Sequence, residues 1–206
     1  MTTRLLTLDD ISDLRAYERE RYEFRRAVIA EKRVRRVTIG SIVTLTFESR
    51  TTVRFQVQEM ARAERLTTDA QVQHELDVYN RLLPGPGELS ATLFLEVTTE
   101  GQLRSWLPKL VGVERSVVLI IGEGNGAARV RSVPEDDHSA QLTRVDVTSA
   151  VHYVRFPLSP VEVAALTVGP ATLIVDHPRY PEGRPGVLLS DAVRVALAGD
   201  ATPSST

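Results

Sequence analysis

Residues 43–57 have the sequence Val43-Thr-Leu-Thr-Phe-Glu-Ser-Arg-Thr-Thr-Val-Arg-Phe-Gln-Val57, and apolar and polar side chains alternate in both halves of this stretch. An alternation of period two is typical of β-strands with one buried face. The stretch therefore predicts an antiparallel hairpin that turns at residues 49–51, with Val43 opposite Val57. Its apolar side chains are expected to face one core.

Upstream of this stretch, residues 9–33 contain neither glycine nor proline, and Asp9 or Asp10 is available to cap their start. They predict one long helix that packs on the hairpin. Downstream, the sequence predicts helices over residues 58–66 and 69–83, a strand at 93–95 and a helix from residue 100. A hairpin that turns at residues 122–126 and a polar loop at 135–140 are expected next, followed by short strands and helices from 153 to 198. Helices and strands do not alternate strictly, so the predicted class is α+β, with a smaller C-terminal α/β part.

The predicted domain organisation follows from the length of 206 residues. A single globular domain is expected over residues 1–198, with lobes that would divide near residue 110, and a disordered tail over residues 199–206. No internal repeat is present.

Composition excludes several classes of protein. The chain has no cysteine, which excludes disulfides, thiolate metal ligands and a cysteine nucleophile. Its formal net charge of −2 argues against a dedicated nucleic-acid-binding protein. The longest apolar run, Val117–Ile121, is too short to span a membrane, and the N-terminal residues turn acidic before a signal-peptide core could form. We therefore expect a cytoplasmic protein with no membrane partner.

Five motifs occur in order along the first half of the chain: Tyr17-Glu-Arg-Glu-Arg-Tyr-Glu-Phe-Arg25, Phe47-Glu-Ser-Arg-Thr51, Phe55-Gln-Val-Gln-Glu-Met-Ala-Arg-Ala-Glu64, Glu75-Leu-Asp-Val-Tyr-Asn80 and Pro84-Gly-Pro-Gly-Glu-Leu-Ser-Ala-Thr92. Together they resemble a bacterial family known as domain of unknown function 3501. The resemblance implies rubrerythrin-like and iron–sulfur oxidoreductase proteins as genomic neighbours, and so a redox or oxidative-stress context. It supplies no catalytic residue.

Arg21 is the most unusual residue of the predicted first helix. At about 100° per residue, it lies on the same apolar arc as Tyr17 and Phe24. A guanidinium on a core-facing arc needs a carboxylate partner or a bound anion, because burying an isolated charge is costly. We expect Arg21 to be at least half buried and paired with Glu59, Glu64 or Glu75. An Arg21 without such a partner would indicate an anion pocket.

Other polar residues join Arg21 as candidates for binding a small anion or a protein partner. The complete set is Arg21, Arg25, Glu59, Arg62, Glu64, Glu75, Tyr79, Asn80 and Glu88. Tyr79, Asn80 and Glu88 are expected near Glu59 and Arg62, because the helix stops at Pro84 and the glycines that follow allow close approach of the backbone.

His74 and Glu75 are weak candidates for metal ligands. Carboxylates with one histidine can hold non-haem iron or manganese, but such sites usually repeat Glu-x-x-His on paired helices, and this sequence has no such motif. On the helical wheel, His74 also points away from the apolar stripe of its own helix. No metal and no cofactor are therefore predicted.

Three functional hypotheses follow. The first is a non-catalytic accessory or interaction protein of a redox system, with a redox protein as partner. The second is an enzyme or binding protein with an Arg/Glu pocket for a small anion, and the third is a metal-binding protein. The sequence leaves open whether the protein is an enzyme and whether it forms a homo-oligomer.

Overall fold

The computed structural model describes residues 5–135 and 146–202, and these residues form an α+β fold, as predicted. They contain six α-helices: α1 (Leu14–Arg33), α2 (Arg50–Ala63), α3 (Asp69–Tyr79), α4 (Glu100–Trp106), α5 (Pro160–Val168) and α6 (Asp191–Ala201). They also contain nine β-strands: β1 (Arg36–Ile39), β2 (Val43–Phe47), β3 (Glu88–Leu95), β4 (Val117–Ile121), β5 (Ala128–Arg131), β6 (Val133–Pro134), β7 (Val151–Pro157), β8 (Ala171–Val175) and β9 (Val187–Leu188).

The strands form two antiparallel sheets. The larger sheet has the order β1-β2-β3-β7-β6, and the smaller sheet has the order β5-β4-β8-β9. Strand β7 belongs to the second half of the chain but pairs with β3 from the first half, so the two halves contribute to one sheet. Strands β4 and β5 form the hairpin that was predicted at residues 122–126.

Two apolar clusters lie on either side of the larger sheet. The main core joins both sheets through buried side chains such as Leu45, Leu93 and Phe156 of the larger sheet and Leu119 and Leu173 of the smaller one. The second cluster is built by the N-terminal segment, α2, α3 and the turn that follows, and it consists of Leu6, Val53, Val57, Leu76, Leu82 and Leu83. Tyr153 of β7 packs against this second cluster, so the helices lie on the face of the sheet opposite the main core.

The long first helix begins later than predicted. A short 3₁₀ turn, Leu8–Asp10, precedes it, and α1 starts at Leu14. The side chain of Asp13 accepts a hydrogen bond from the amide of Ala16 at 2.8 Å, which satisfies one of the free amides at the helix start. Asp13, and not Asp9 or Asp10, therefore caps α1.

The predicted hairpin over residues 43–57 is wrong in its second half. Only Val43–Phe47 is a strand, and it pairs with β1 and β3. Residues 50–63 form α2, which begins with a capping box: the amide of Thr52 donates to the Ser49 hydroxyl, and the amide of Ser49 donates to the Thr52 hydroxyl. The apolar residues therefore do not share one core, since Val43 lies in the main core and Val53 in the second cluster.

Smaller differences occur at other element ends. Helix α3 ends at Tyr79 and continues as the 3₁₀ turn Asn80–Leu82, and α6 extends to Ala201. Residues 136–140 of the predicted polar loop and residues 203–206 of the predicted tail lie outside the described residues. Within the described part of the chain, no helix has the length and apolarity needed to cross a membrane.

Candidate functional site

Arg21 has a carboxylate partner, as its position on the apolar arc of α1 predicts. Its Nε and Nη2 atoms donate to the two carboxylate oxygens of Glu59 at 2.8 Å each, and both side chains are about 70% buried, with exposed fractions of 30% and 28%. The hydroxyl of Tyr17 donates to the same carboxylate at 2.6 Å. Arg21 and Glu59 therefore form a bidentate ion pair, in which two nitrogens of the planar guanidinium each bind one carboxylate oxygen.

The pKa values of this triad shift in the directions expected for a hydrogen-bonded ion pair. The hydrogen bond to Glu59 raises the pKa of Arg21, and the hydrogen bond from Arg21 lowers the pKa of Glu59 despite burial. Burial and the bond to Glu59 raise the pKa of Tyr17. Glu59 occupies the position at Arg21 that an external anion would need, so these residues form an internal ion pair.

The remaining predicted site residues are divided among separate contacts. Arg62 forms an ion pair with Glu18 of α1, and the side chain of Asn80 exchanges two hydrogen bonds with the backbone of Leu6, at 2.8 and 2.9 Å. Arg25 is exposed on α1.

Glu88, which was expected near Glu59 and Arg62, instead binds Arg155 of the neighbouring strand β7. Its carboxylate also accepts a hydrogen bond from the Gly85 amide at 3.0 Å. The correction has a simple cause: Glu88 is the first residue of β3, and antiparallel pairing with β7 places Arg155 close to it.

Glu64, Glu75 and Tyr79 lie close enough to influence one another. Burial and the Glu64 carboxylate raise the pKa of Glu75, and burial, Tyr153 and these carboxylates raise the pKa of Tyr79. His74 is exposed on α3 beside Glu75. Among the residues that the structure describes, no three His, Asp or Glu side chains are grouped so that they could hold a metal ion.

A buried carboxylate that the sequence analysis did not single out lies between β2 and α2. Glu48 is only 3% exposed and accepts three hydrogen bonds. The hydroxyls of Thr52 and Thr92 donate to its two oxygens at 2.6 Å each, and the side-chain amide of Gln56 donates at 3.2 Å. Glu48, Thr52 and Gln56 are spaced four residues apart, and this spacing could have indicated the cluster from the sequence. It places the three side chains on one face only if residues 50–63 are assigned to a helix.

Glu48 lies at the floor of a cavity of about 370 Å³ between the larger sheet and helices α1 and α2, which we call the Glu48 cleft. Its lining consists of Lys32, Arg36, Thr46, Glu48, Gln56, Thr92, Phe94, Val151 and Tyr153. A shallower groove of about 280 Å³, lined among others by Phe55, Glu59 and Tyr79, continues from it and shares Lys32 and Gln56. A further cavity of about 370 Å³ beside the N-terminal segment is lined by Leu8, Ile11 and Val72, and its charged residues are exposed.

Some of the charged side chains that line the Glu48 cleft form ion pairs and others do not. Arg36 forms an ion pair with Glu96 at the rim. Lys32 is half-buried, its Nζ lies 5.9 Å from the centre of the Phe55 ring, and no described carboxylate is within salt-bridge distance of it. No described basic side chain forms an ion pair with Glu48. Burial and the Glu48 charge raise the pKa of Tyr153, so this phenol is protonated at neutral pH.

The fold and this cleft define an α+β protein of two antiparallel sheets with a charged, aromatic-walled cleft under its N-terminal helices. The chain belongs to the family described as protein of unknown function DUF3501, whose sequence profile matches residues 5–201. It is also similar to the crystal structure of a novel protein of unknown function from Burkholderia pseudomallei K96243. The two chains are 37% identical, the match covers 95% of this chain and 98% of that chain, and the TM-score is 0.85. No curated protein matches the chain. The resemblance seen in the sequence motifs is thus confirmed.

Proposed function

We propose that this protein binds a small molecule with a positively charged group in the Glu48 cleft. The observation that carries the proposal is that Glu48 is a buried carboxylate without an ion-pair partner. It is 3% exposed, it lines a cavity, and it forms no ion pair with any described basic side chain. The charge of a buried carboxylate is normally compensated by a cation, because removing each ion from water costs roughly several kcal/mol. A cationic ligand would supply this compensation.

The hydrogen bonds of Glu48 support a binding role. A carboxylate offers about four acceptor positions, and Thr52, Thr92 and Gln56 occupy three of them. The three donors satisfy most of the carboxylate's acceptor positions and fix the orientation of the group. One acceptor position is left for a donor from the cavity, which is the arrangement expected for an ammonium or amidinium group.

The walls of the cleft suit such a ligand. Its volume of about 370 Å³ lies within the ~300–1,000 Å³ typical of small-molecule sites. Phe94 and Tyr153 line it, and Phe55 lines the groove that continues from it. Aromatic faces attract cations and also pack against the apolar part of a ligand.

The other hypotheses receive less support from the structure. A small-anion site at Arg21 would require displacing Glu59 from a two-pronged ion pair. The accessory role in a cytoplasmic redox system, the redox partner and self-association stay predictions that rest on the resemblance and on composition. No contact among the described residues favours them specifically.

The proposal is tested by titrating the ¹⁵N-labelled protein with phenethylammonium and following amide chemical shifts. We expect saturable shifts at residues of the Glu48 cleft, and loss of affinity by about tenfold or more in Glu48→Gln, because a charge-assisted hydrogen bond contributes about 1.5–3 kcal/mol. Glu100→Gln is the matched control, since Glu100 is 76% exposed and lies on α4. Its affinity should equal that of the wild type.

Two results would reject the proposal. One is the absence of saturable shifts in the wild type. The other is equal binding by the wild type and Glu48→Gln, which would place the amine elsewhere on the protein. An anion of the same shape, 3-phenylpropanoate, should produce no shifts that depend on Glu48.

A further inference from the structure

We infer that the ligand of the Glu48 cleft is a zwitterion of the amino-acid type, with its ammonium group on Glu48 and its carboxylate on Lys32. This inference rests on the proposed function and deepens it. It starts from Lys32, which lines both the Glu48 cleft and the adjoining groove. Lys32 is the cation of this lining that has no described carboxylate partner.

The charge balance of the cleft leads to this ligand class. Arg36 is neutralised by Glu96, so the charges left for a ligand are the carboxylate of Glu48 and the ammonium of Lys32. These two groups line the same cavity and yet are not within salt-bridge distance of each other. A molecule with one positive and one negative group can bridge them, whereas a simple amine would meet Glu48 and be repelled by Lys32.

The position of Lys32 keeps its charge available. It lies in the last turn of α1, where the partial negative charge of the helix end stabilises a cation. Its contact with the Phe55 ring, at 5.9 Å, holds the ammonium over an aromatic face and leaves its donors unused by any described carboxylate. An external carboxylate can therefore bind Lys32 without breaking an existing ion pair.

The aromatic lining selects among zwitterions. Phe94, Val151 and Tyr153 supply an apolar wall to the cleft. An amino acid with an aromatic or aliphatic side chain matches this wall as well as the two charges. Free L-phenylalanine is accordingly the first probe.

Three molecules with the same phenyl-alkyl skeleton separate the contributions of the two charged groups. L-phenylalanine carries both charges, phenethylammonium only the positive one, and 3-phenylpropanoate only the negative one. We expect the wild type to bind L-phenylalanine up to about fivefold more tightly than phenethylammonium, the increment of one partly exposed ion pair. In Lys32→Met the two affinities should become equal, and the affinity for phenethylammonium should be unchanged or higher because the repulsion is gone.

Lys109→Met is the matched control. Lys109 is the other lysine of the chain and also lies over an aromatic ring, with its Nζ 5.3 Å from the centre of the Trp106 ring, but it does not line the cleft. This variant should keep the wild-type preference for L-phenylalanine.

The outcomes distinguish this inference from the proposed function. Equal affinities of the wild type for L-phenylalanine and phenethylammonium, both lost in Glu48→Gln, would overturn the zwitterion and leave the cation site intact. A preference for L-phenylalanine that survives in Lys32→Met would also overturn the assignment of Lys32. Failure of both amines to shift cleft resonances would overturn the proposed function itself.

Discussion

Arg35, in the turn between α1 and β1, is bound by Asp200 in the last turn of α6, 165 residues further along the chain. The guanidinium contacts both oxygens of Asp200, and its Nε also lies 3.0 Å from Glu31. The Arg35 side chain is 8% exposed. This ion pair links α6, near the C-terminus, to the C-terminal end of α1.

Replacing Arg35 by Met should lower the free energy of unfolding by about 3 kcal/mol, because it removes a buried guanidinium that lies against two partly buried carboxylates, those of Asp200 and Glu31. Urea denaturation gives the value. Arg36→Met is the neighbouring control: Arg36 pairs with Glu96 at the surface, with exposed fractions of 48% and 42%, and its loss should cost less than about 1 kcal/mol. Equal losses in the two variants would show that the Arg35–Asp200 pair does not stabilise the fold.

The Glu59 carboxylate makes stability depend on pH. Its hydrogen bond from Arg21 lowers its pKa below the ordinary value of 4.5. The stabilisation is therefore fully present above about pH 4.5 and is lost as the pH falls through the lowered pKa of the folded state. The difference in unfolding free energy between the wild type and Glu59→Gln should be about 1–2 kcal/mol at pH 7 and should shrink towards pH 3.

Glu23→Gln serves as the control for this pH series. Glu23 is 72% exposed and lies 3.9 Å from Arg26, so its replacement should change stability little at either pH. A difference between the wild type and Glu59→Gln that is the same at pH 3 and pH 7 would contradict the role of the Glu59 charge.

Gly40 is required by the turn between β1 and β2. Its φ angle is +67°, and a Cβ atom there would overlap the Tyr180 hydroxyl and come within 2.9 Å of Tyr180 Cζ. That hydroxyl donates to the Ile39 carbonyl at 2.8 Å. Gly40→Ala should cost about 2 kcal/mol or more in thermal or urea unfolding, since it adds backbone strain and displaces this contact.

Gly199 provides the opposite case. It lies inside α6, and apart from the backbone of its own helix no described atom lies within 4 Å of its added Cβ. Gly199→Ala should therefore stabilise the protein by about 0.5–1 kcal/mol. If Gly40→Ala were as harmless as Gly199→Ala, the described turn geometry would be refuted.

The Thr92 hydroxyl should be important for the buried carboxylate of the cleft. Thr92→Val removes a 2.6 Å hydrogen bond to Glu48 and should reduce stability by about 1.5–3 kcal/mol. In a Glu48→Gln background the same change should cost less, because the acceptor is no longer charged. Thr98→Val, at an exposed threonine whose hydroxyl lies 3.4 Å from Gln102, is the control. Equal costs of Thr92→Val in both backgrounds would mean that Glu48 and Thr92 are not coupled.

The sequence was sufficient for features that depend on one regular element. The absence of glycine and proline from residues 9–33 predicted the helix that the structure shows as α1, and its periodicity placed Arg21 on the apolar arc. The cost of burying an unpaired guanidinium then required a partner, and Glu59 is one of the three carboxylates that this reasoning named. The β4–β5 hairpin was likewise predictable, because Asn-Gly turns favour it locally.

The helix α2 shows where periodicity alone is ambiguous. Val53 and Val57 are four residues apart, a spacing that places two side chains on one face in a strand and also in a helix. Phe55 decides between them: in a strand it would join the valines, whereas in α2 it points towards α1 and packs on Phe24 with ring centres 5.7 Å apart. The capping box at Ser49 and Thr52 was the local signal that favoured the helix.

The sequence by itself thus determined the α+β class, the family and the need for a partner at Arg21. Only the tertiary structure decided that Arg35 meets Asp200, and that Glu48, Thr92 and Lys32 surround one cavity. The physical reason is that these groups come from elements far apart in the chain, and local propensity does not specify which faces of the elements meet. Packing α1 and α2 on the outer face of the larger sheet brings the groups together and buries Glu48 among hydroxyl and amide donors.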